Sequence, residues 1–221
     1  MLEQLKHTGI LLLDSKMWRL AARFTTVRRT HDNDAIIVVS GLPRSGTSMM
    51  MKMLAAAPID IFTDKLRVAD EDNPDGYFEF ERVKNLKDGD FEWLPQAKRK
   101  AVKIISALLE FLPPQFNYRV IFMQRKMSEI LASQRRMLAH RSTSDGSVDD
   151  KTMAELYVKH LDTVKRWLSR QPNFRVLELD YNRLLADPTK DLGRLSQFLR
   201  RPLDVEKMRA VINTGLYRQR L

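Results

Sequence analysis

The stretch Val38–Ser48, reading V-V-S-G-L-P-R-S-G-T-S, decides the fold of this chain. Just before it runs Ala35-Ile36-Ile37-Val38-Val39, apolar and β-branched, the pattern of a parallel strand buried on both faces. Just after it, Met49–Ala57 is an apolar helical segment stopped by Pro58. Strand, small-residue loop and helix in that order make a cradle for a phosphate. Gly41 and Gly46 let the backbone turn tightly and approach an oxyanion. The N–H groups from about Gly46 to Met49 come too early in the helix to have partners within it, so they point at whatever sits in the loop. Arg44, Ser45, Thr47 and Ser48 add a fixed positive charge and three hydroxyls.

The spacing Gly41-x4-Gly46 matches the start of a Walker A loop, but the next two residues do not. A nucleotide kinase needs Lys and then Ser or Thr there, so that the Lys reaches the β- and γ-phosphates. Here Thr47 and Ser48 follow, and the cation sits earlier, at Arg44. Such a loop suits a phosphorylated ligand with no γ-phosphate to handle.

The chain has 221 residues, enough for one α/β domain with a sizeable core. With 43% hydrophobic and 30% charged residues its composition is that of a globular protein, not a disordered one. A net charge of +10 favours anionic partners such as nucleotides, sulfate or phosphate esters, nucleic acid or an acidic membrane face. With no cysteine, disulfides, thiol nucleophiles and Cys-based metal sites are excluded. No run approaches the roughly 20 apolar residues of a membrane span, and the expected compartment is the cytoplasm.

Residues 1–34 form an expected helical lead-in with a basic end at Arg19, Arg23, Arg28 and Arg29. Residues 35–221 form the expected single α/β domain. Beyond the loop helix, Ile59–Phe62 reads as a short strand, and Asn73-Pro74-Asp75-Gly76 as a turn. Tyr77–Glu81 alternates, which puts Phe78 and Phe80 on one face and Tyr77, Glu79 and Glu81 on the other. In a basic protein the carboxylates from Asp64 to Glu81 stand out. They supply either a general base over the cradle or a solvated loop that offsets nearby cations.

Ala101–Ile105 reads as a second strand, interrupted by Lys103, which either meets an anion at the strand end or snorkels to the edge. Tyr118–Gln124 is a core strand ending at Arg125, where ligands of open α/β sheets bind. The helix from Ser128 carries Ser133 on its apolar stripe; that hydroxyl bonds back to the carbonyl of Glu129 or joins Arg125 on a phosphate. Lys151–Arg170 is amphipathic with His160 on its apolar face, and His140 closes the preceding helix. Phe174–Leu179 reads as a further core strand, followed by helices opening at Asp187-Pro188 and at Asp204.

Three segments together resemble the sulfotransferases that use 3′-phosphoadenosine 5′-phosphosulfate (PAPS). Pro43-Arg44-Ser45-Gly46-Thr47-Ser48 is similar to the loop that grips the 5′-phosphosulfate in that family. Arg125 and Ser133 match its 3′-phosphate pair in type and in their separation of eight positions. Val176–Tyr181, then Leu184 and Asp187-Pro188, is similar to its late strand, whose Tyr contacts the adenine. The resemblance spans about residues 36–200 and implies a P-loop NTPase-like parallel sheet flanked by helices. It is nearest to bacterial members. It implies PAPS as donor, no metal, and an acceptor hydroxyl or amine on a small molecule, glycan or peptide.

The catalytic base departs from the family, where it is His in cytosolic small-molecule enzymes and Glu in several others. No His here falls in a matching place. The G-E-E-T-R stretch of tyrosylprotein sulfotransferases corresponds to Thr63-Asp64-Lys65-Leu66-Arg67, with Lys65 opposite the base, so Glu79 or Asp64 has to serve. Lys103 and Arg44 are the candidate catalytic cations. The family's R-K-G-x-x-G segment is absent, with Arg218 and Arg220 as substitutes. The rival readings are a kinase with an atypical P-loop, a nucleic-acid-binding protein, and a non-catalytic PAPS binder. A homo-oligomer is compatible with all of them.

Overall fold

A computed structural model describes residues 34–64, 66, 76–140 and 149–212. All but the last residue of the expected lead-in (1–34), all but Gly76 of the expected turn at 73–76, and the arginines at 218 and 220 lie outside the described residues, as does the side chain of His140.

Strand β1 (Ile36–Gly41) is buried along its whole length. Ile37 and Val39 face one apolar cluster, Ile36 and Val38 the other, as expected for a strand covered on both sides. It pairs in parallel with β2 (Ala101–Lys103) on one side and β3 (Tyr118–Gln124) on the other. With β4 (Phe174–Asp180) parallel to β3, the sheet order is β2-β1-β3-β4. This is the expected α/β parallel sheet flanked by helices. Residues 59–62 contribute a single bridge, Ile61 to Ala101, in place of a strand.

Helix α1 (Thr47–Ala56) follows the loop and buries Met50, Met51, Met53 and Leu54 against the first cluster. The opposite face is covered by 3-10 turns at Glu81–Asp88, Leu94–Ala97 and Ser106–Phe111, centred on the buried Trp93. Helices α2 (Met127–His140) and α3 (Asp150–Leu168) connect β3 to β4. Leu42, Ile130, Leu131 and Tyr157 pack between them and the end of β1. Helices α4 (Tyr181–Ala186), α5 (Thr189–Leu199) and α6 (Val205–Ala210) close the first face. Asp187 accepts the N–H of Thr189 at 3.0 Å, and Asp204 caps α6 through the N–H of Lys207 at 3.0 Å.

Two further expectations change. β4 is an edge strand, with Arg175, Val176 and Glu178 exposed, because no fifth strand covers it among the described residues. The alternation at 77–81 is also overturned. Phe78 takes a φ of 50°, which breaks the two-residue period. Tyr77 is buried, and Phe78 and Phe80 join opposite clusters, Phe80 stacking edge-on to Phe62 and Trp93.

Candidate functional site

All the strands are parallel, so their carboxyl ends share one edge of the sheet, and the candidate residues gather there. Gly41 and Gly46 have φ of 148° and 98°, the loop conformation that their lack of a Cβ allows. A Cβ on Gly46 would lie 2.4 Å from Cδ2 of Tyr181, and one on Gly41 would lie 2.5 Å from Oγ of Ser45. Both glycines are therefore fixed by close packing as well as by conformation. The first helical bond of this turn runs from Met50 N–H to Gly46 O at 3.1 Å, so the N–H groups of Gly46–Met49 precede the ladder. Ser45 Oγ is buried with no hydrogen-bond partner among the described residues. This donor-rich, cationic cradle is chemically suited to an anion.

Lys103 ends β2 beside the loop. Its Nζ lies 3.4 Å from Ser48 Oγ and 3.3 Å from Glu79 Oε1, and it also donates to the carbonyl of Tyr77. The side chain is only 9% exposed, so it does not snorkel; it meets a carboxylate and a loop hydroxyl. Glu79 is a quarter exposed and reachable from solvent. Asp64 is committed elsewhere. Its two oxygens accept the N–H groups of Leu66 at 3.0 Å and Glu81 at 2.6 Å, which caps the 3-10 turn after Phe80. Of the two carboxylates read as a base, only Glu79 contacts the cation that touches the loop.

The second cluster joins the loop to α2 and α4. Arg44, at a φ of 70°, donates from Nε to Ser133 Oγ at 2.8 Å. Ser133 thus takes its bond from the loop arginine and not from a back-bond within its own helix. Arg125 donates from Nη1 to the carbonyl of Arg44 at 3.1 Å and from Nε to Glu129 at 2.8 Å. Its guanidinium lies over the ring of Tyr181, 4.4 Å from the centroid. Tyr181 is 7% exposed, wedged between Gly46 and Arg125. Arg44 thus reaches Ser133 through its side chain and Arg125 through its backbone carbonyl, while Lys103 meets the loop at Ser48.

The reading of the chain passed over Glu129 and Asn182. Glu129 is fully buried; Asn182 Nδ2 donates to its second oxygen at 2.8 Å. The signal was present in the spacing, since Glu129 stands four residues after Arg125, in the first turn of the helix that Arg125 precedes. His160 is half-buried and hydrogen-bonded within the fold. Its Nε2 lies 2.9 Å from Ser106 Oγ, and burial holds its pKa below the usual histidine value.

A family model described as a sulfotransferase domain matches residues 33–218. A sulfotransferase structure from Mycobacterium tuberculosis is 16% identical at a TM-score of 0.54, covering 80% of this chain and 70% of that one. A sulfotransferase from Mycobacterium avium is 14% identical at 0.51, covering 86% and 69%. A mouse sulfotransferase complexed with PAP is 18% identical at 0.46, covering 83% of this chain; the chain spans 64% of that protein's length. No curated protein sequence matches. The family model takes in the glycine loop, the Arg125–Ser133 segment and the late strand together, and the chain belongs to the sulfotransferase-domain family.

Proposed function

We propose that this protein transfers a sulfuryl group from PAPS to an acceptor hydroxyl or amine and releases 3′,5′-ADP. The observation that carries the reading is Lys103, whose Nζ touches both the glycine loop at Ser48 and the accessible carboxylate Glu79. One donor and one base thereby face the same point at the loop. PAPS supplies an activated S–O bond. Lys103, Thr47, Ser48 and the N–H groups at the start of α1 stabilise charge that grows on the bridging and leaving phosphate oxygens as that bond breaks. Glu79 accepts the acceptor's proton as the new bond to sulfur forms. Its contact with Lys103 aims it at the loop, and the scheme requires no metal.

Arg125 and Ser133 hold the 3′-phosphate, with Arg44 beside them, and so favour PAPS over ATP. Pro43 and Ser45 shape the loop, and Tyr181 walls the adenine side. The mouse protein similar to this chain carries PAP, in keeping with such a donor. Thermal shifts of the full chain with 3′,5′-ADP, ATP and 5′-AMP test the reading. A clear preference for 3′,5′-ADP is expected; equal or larger shifts with ATP would overturn it. Glu79→Gln is expected to keep 3′,5′-ADP binding while turnover with a phenolic or amine acceptor falls about 100-fold or more.

A further inference from the structure

We infer that Glu129 is the positioning residue for 3′-phosphate recognition: it holds Arg125 in one orientation and links it to the helix that carries Tyr181. The inference rests on the proposed reading of Arg125 and Ser133.

Glu129 has no solvent exposure and Arg125 only 8%. A buried ion pair of this kind adds little net stability, because desolvation offsets most of the attraction. What it does supply is geometry. One Glu129 oxygen accepts Nε of Arg125 at 2.8 Å, and the other accepts Nδ2 of Asn182 at 2.8 Å. Glu129 stands on α2, and its carboxylate is held from the segment that precedes this helix and from α4. The guanidinium is in turn fixed from three directions: Glu129 at Nε, the Arg44 carbonyl at Nη1, and the Tyr181 ring against its face. A planar fork fixed in this way keeps one orientation.

The neighbour of Asn182 is Tyr181, so Glu129 ties the adenine wall to the phosphate grip. A nucleotide that displaced Tyr181 would pull Asn182 and release the carboxylate from Arg125. Recognition of the base and of the 3′-phosphate is therefore coupled through a residue that touches neither.

The test measures dissociation constants of 3′,5′-ADP and 5′-AMP by calorimetry on the full chain. In Glu129→Ala the preference for 3′,5′-ADP over 5′-AMP is expected to fall about tenfold, the loss of roughly one charged hydrogen bond's worth of alignment. Glu129→Gln, which keeps an acceptor for Nε and lets the Asn182 amide turn, is expected to stay within about threefold of the parent. A merely structural carboxylate would weaken both nucleotides alike and leave the preference intact; that result overturns the inference. So does a Gln variant as impaired as the Ala variant. Should Glu129→Ala fail to fold, Asn182→Ala decides: a preference reduced threefold or more supports the coupling, and an unchanged one refutes it. Arg125→Ala separates the two readings. If it leaves the preference intact, the 3′-phosphate assignment itself falls. If it abolishes the preference while Glu129→Ala does not, only the positioning role falls.

Discussion

Gly46→Ala is the sharpest probe of the loop. Gly46 has a φ of 98°, where an L-residue costs about 1–2 kcal/mol. A methyl there would also stand 2.4 Å from Cδ2 and 3.1 Å from Cε2 of Tyr181. Tyr181 cannot yield freely, because it is buried and the guanidinium of Arg125 covers its ring. Overpacking of that kind costs about 1–3 kcal/mol, which brings the expected loss to about 2–5 kcal/mol. Gly89→Ala is the matched control: its φ is 84° and nothing lies within 4 Å of an added Cβ, so only the conformational cost applies. Urea unfolding at constant m reads both changes as shifts in midpoint. In a Tyr181→Ala background the cost of Gly46→Ala should drop to that of Gly89→Ala. If the two glycine variants lose equal stability in the parent protein, Tyr181 does not pack on the loop and the wedge described above is wrong.

Asp64→Ala should lower the unfolding midpoint by about 1 kcal/mol equivalent, through loss of the cap at Glu81, and leave turnover within about fivefold at low temperature; a collapse in turnover like that of Glu79→Gln would move the base to Asp64. Lys103→Ala should lower turnover more than 3′,5′-ADP affinity, and a fall in affinity alone would make Lys103 a binding residue only. Burial lowers the pKa of His160, so the unfolded chain binds its proton first as pH falls below about 6.5. The stability tied to this residue is thus present above that pH and is lost on acidification, and His160→Gln should show a smaller drop in melting temperature between pH 7.5 and 5.5; an equal drop would contradict the assignment. Trp93→Ala, which empties the stack with Phe62 and Phe80, should cost about 3–5 kcal/mol in chemical denaturation.

The elements that could be read from the sequence are those whose cause is local. Ile36–Val39 had to be a doubly covered strand because every residue in it is apolar, and Tyr118–Gln124 ends where Arg125 begins. The loop followed from two glycines and three hydroxyls at fixed spacing. What escaped the reading depends on partners far away in the chain. Where the Arg44 side chain reaches is a choice of rotamer, and it meets Ser133, 89 positions later. Asp64 and Glu79 look alike in sequence, yet one is consumed by two backbone N–H groups and the other meets Lys103. The alternation at 77–81 failed because Phe78 adopts a left-handed conformation that no propensity favours in a phenylalanine. Glu129 is the informative miss. It stands four residues after Arg125, a spacing at which a surface pair on a helix contributes only a few tenths of a kcal/mol and which invites no attention. Its burial and the amide of Asn182, 53 positions away, turn the same pair into a fixed support for the arginine. The motif thus names the candidate groups, and the tertiary fold decides how firmly each of them is aimed.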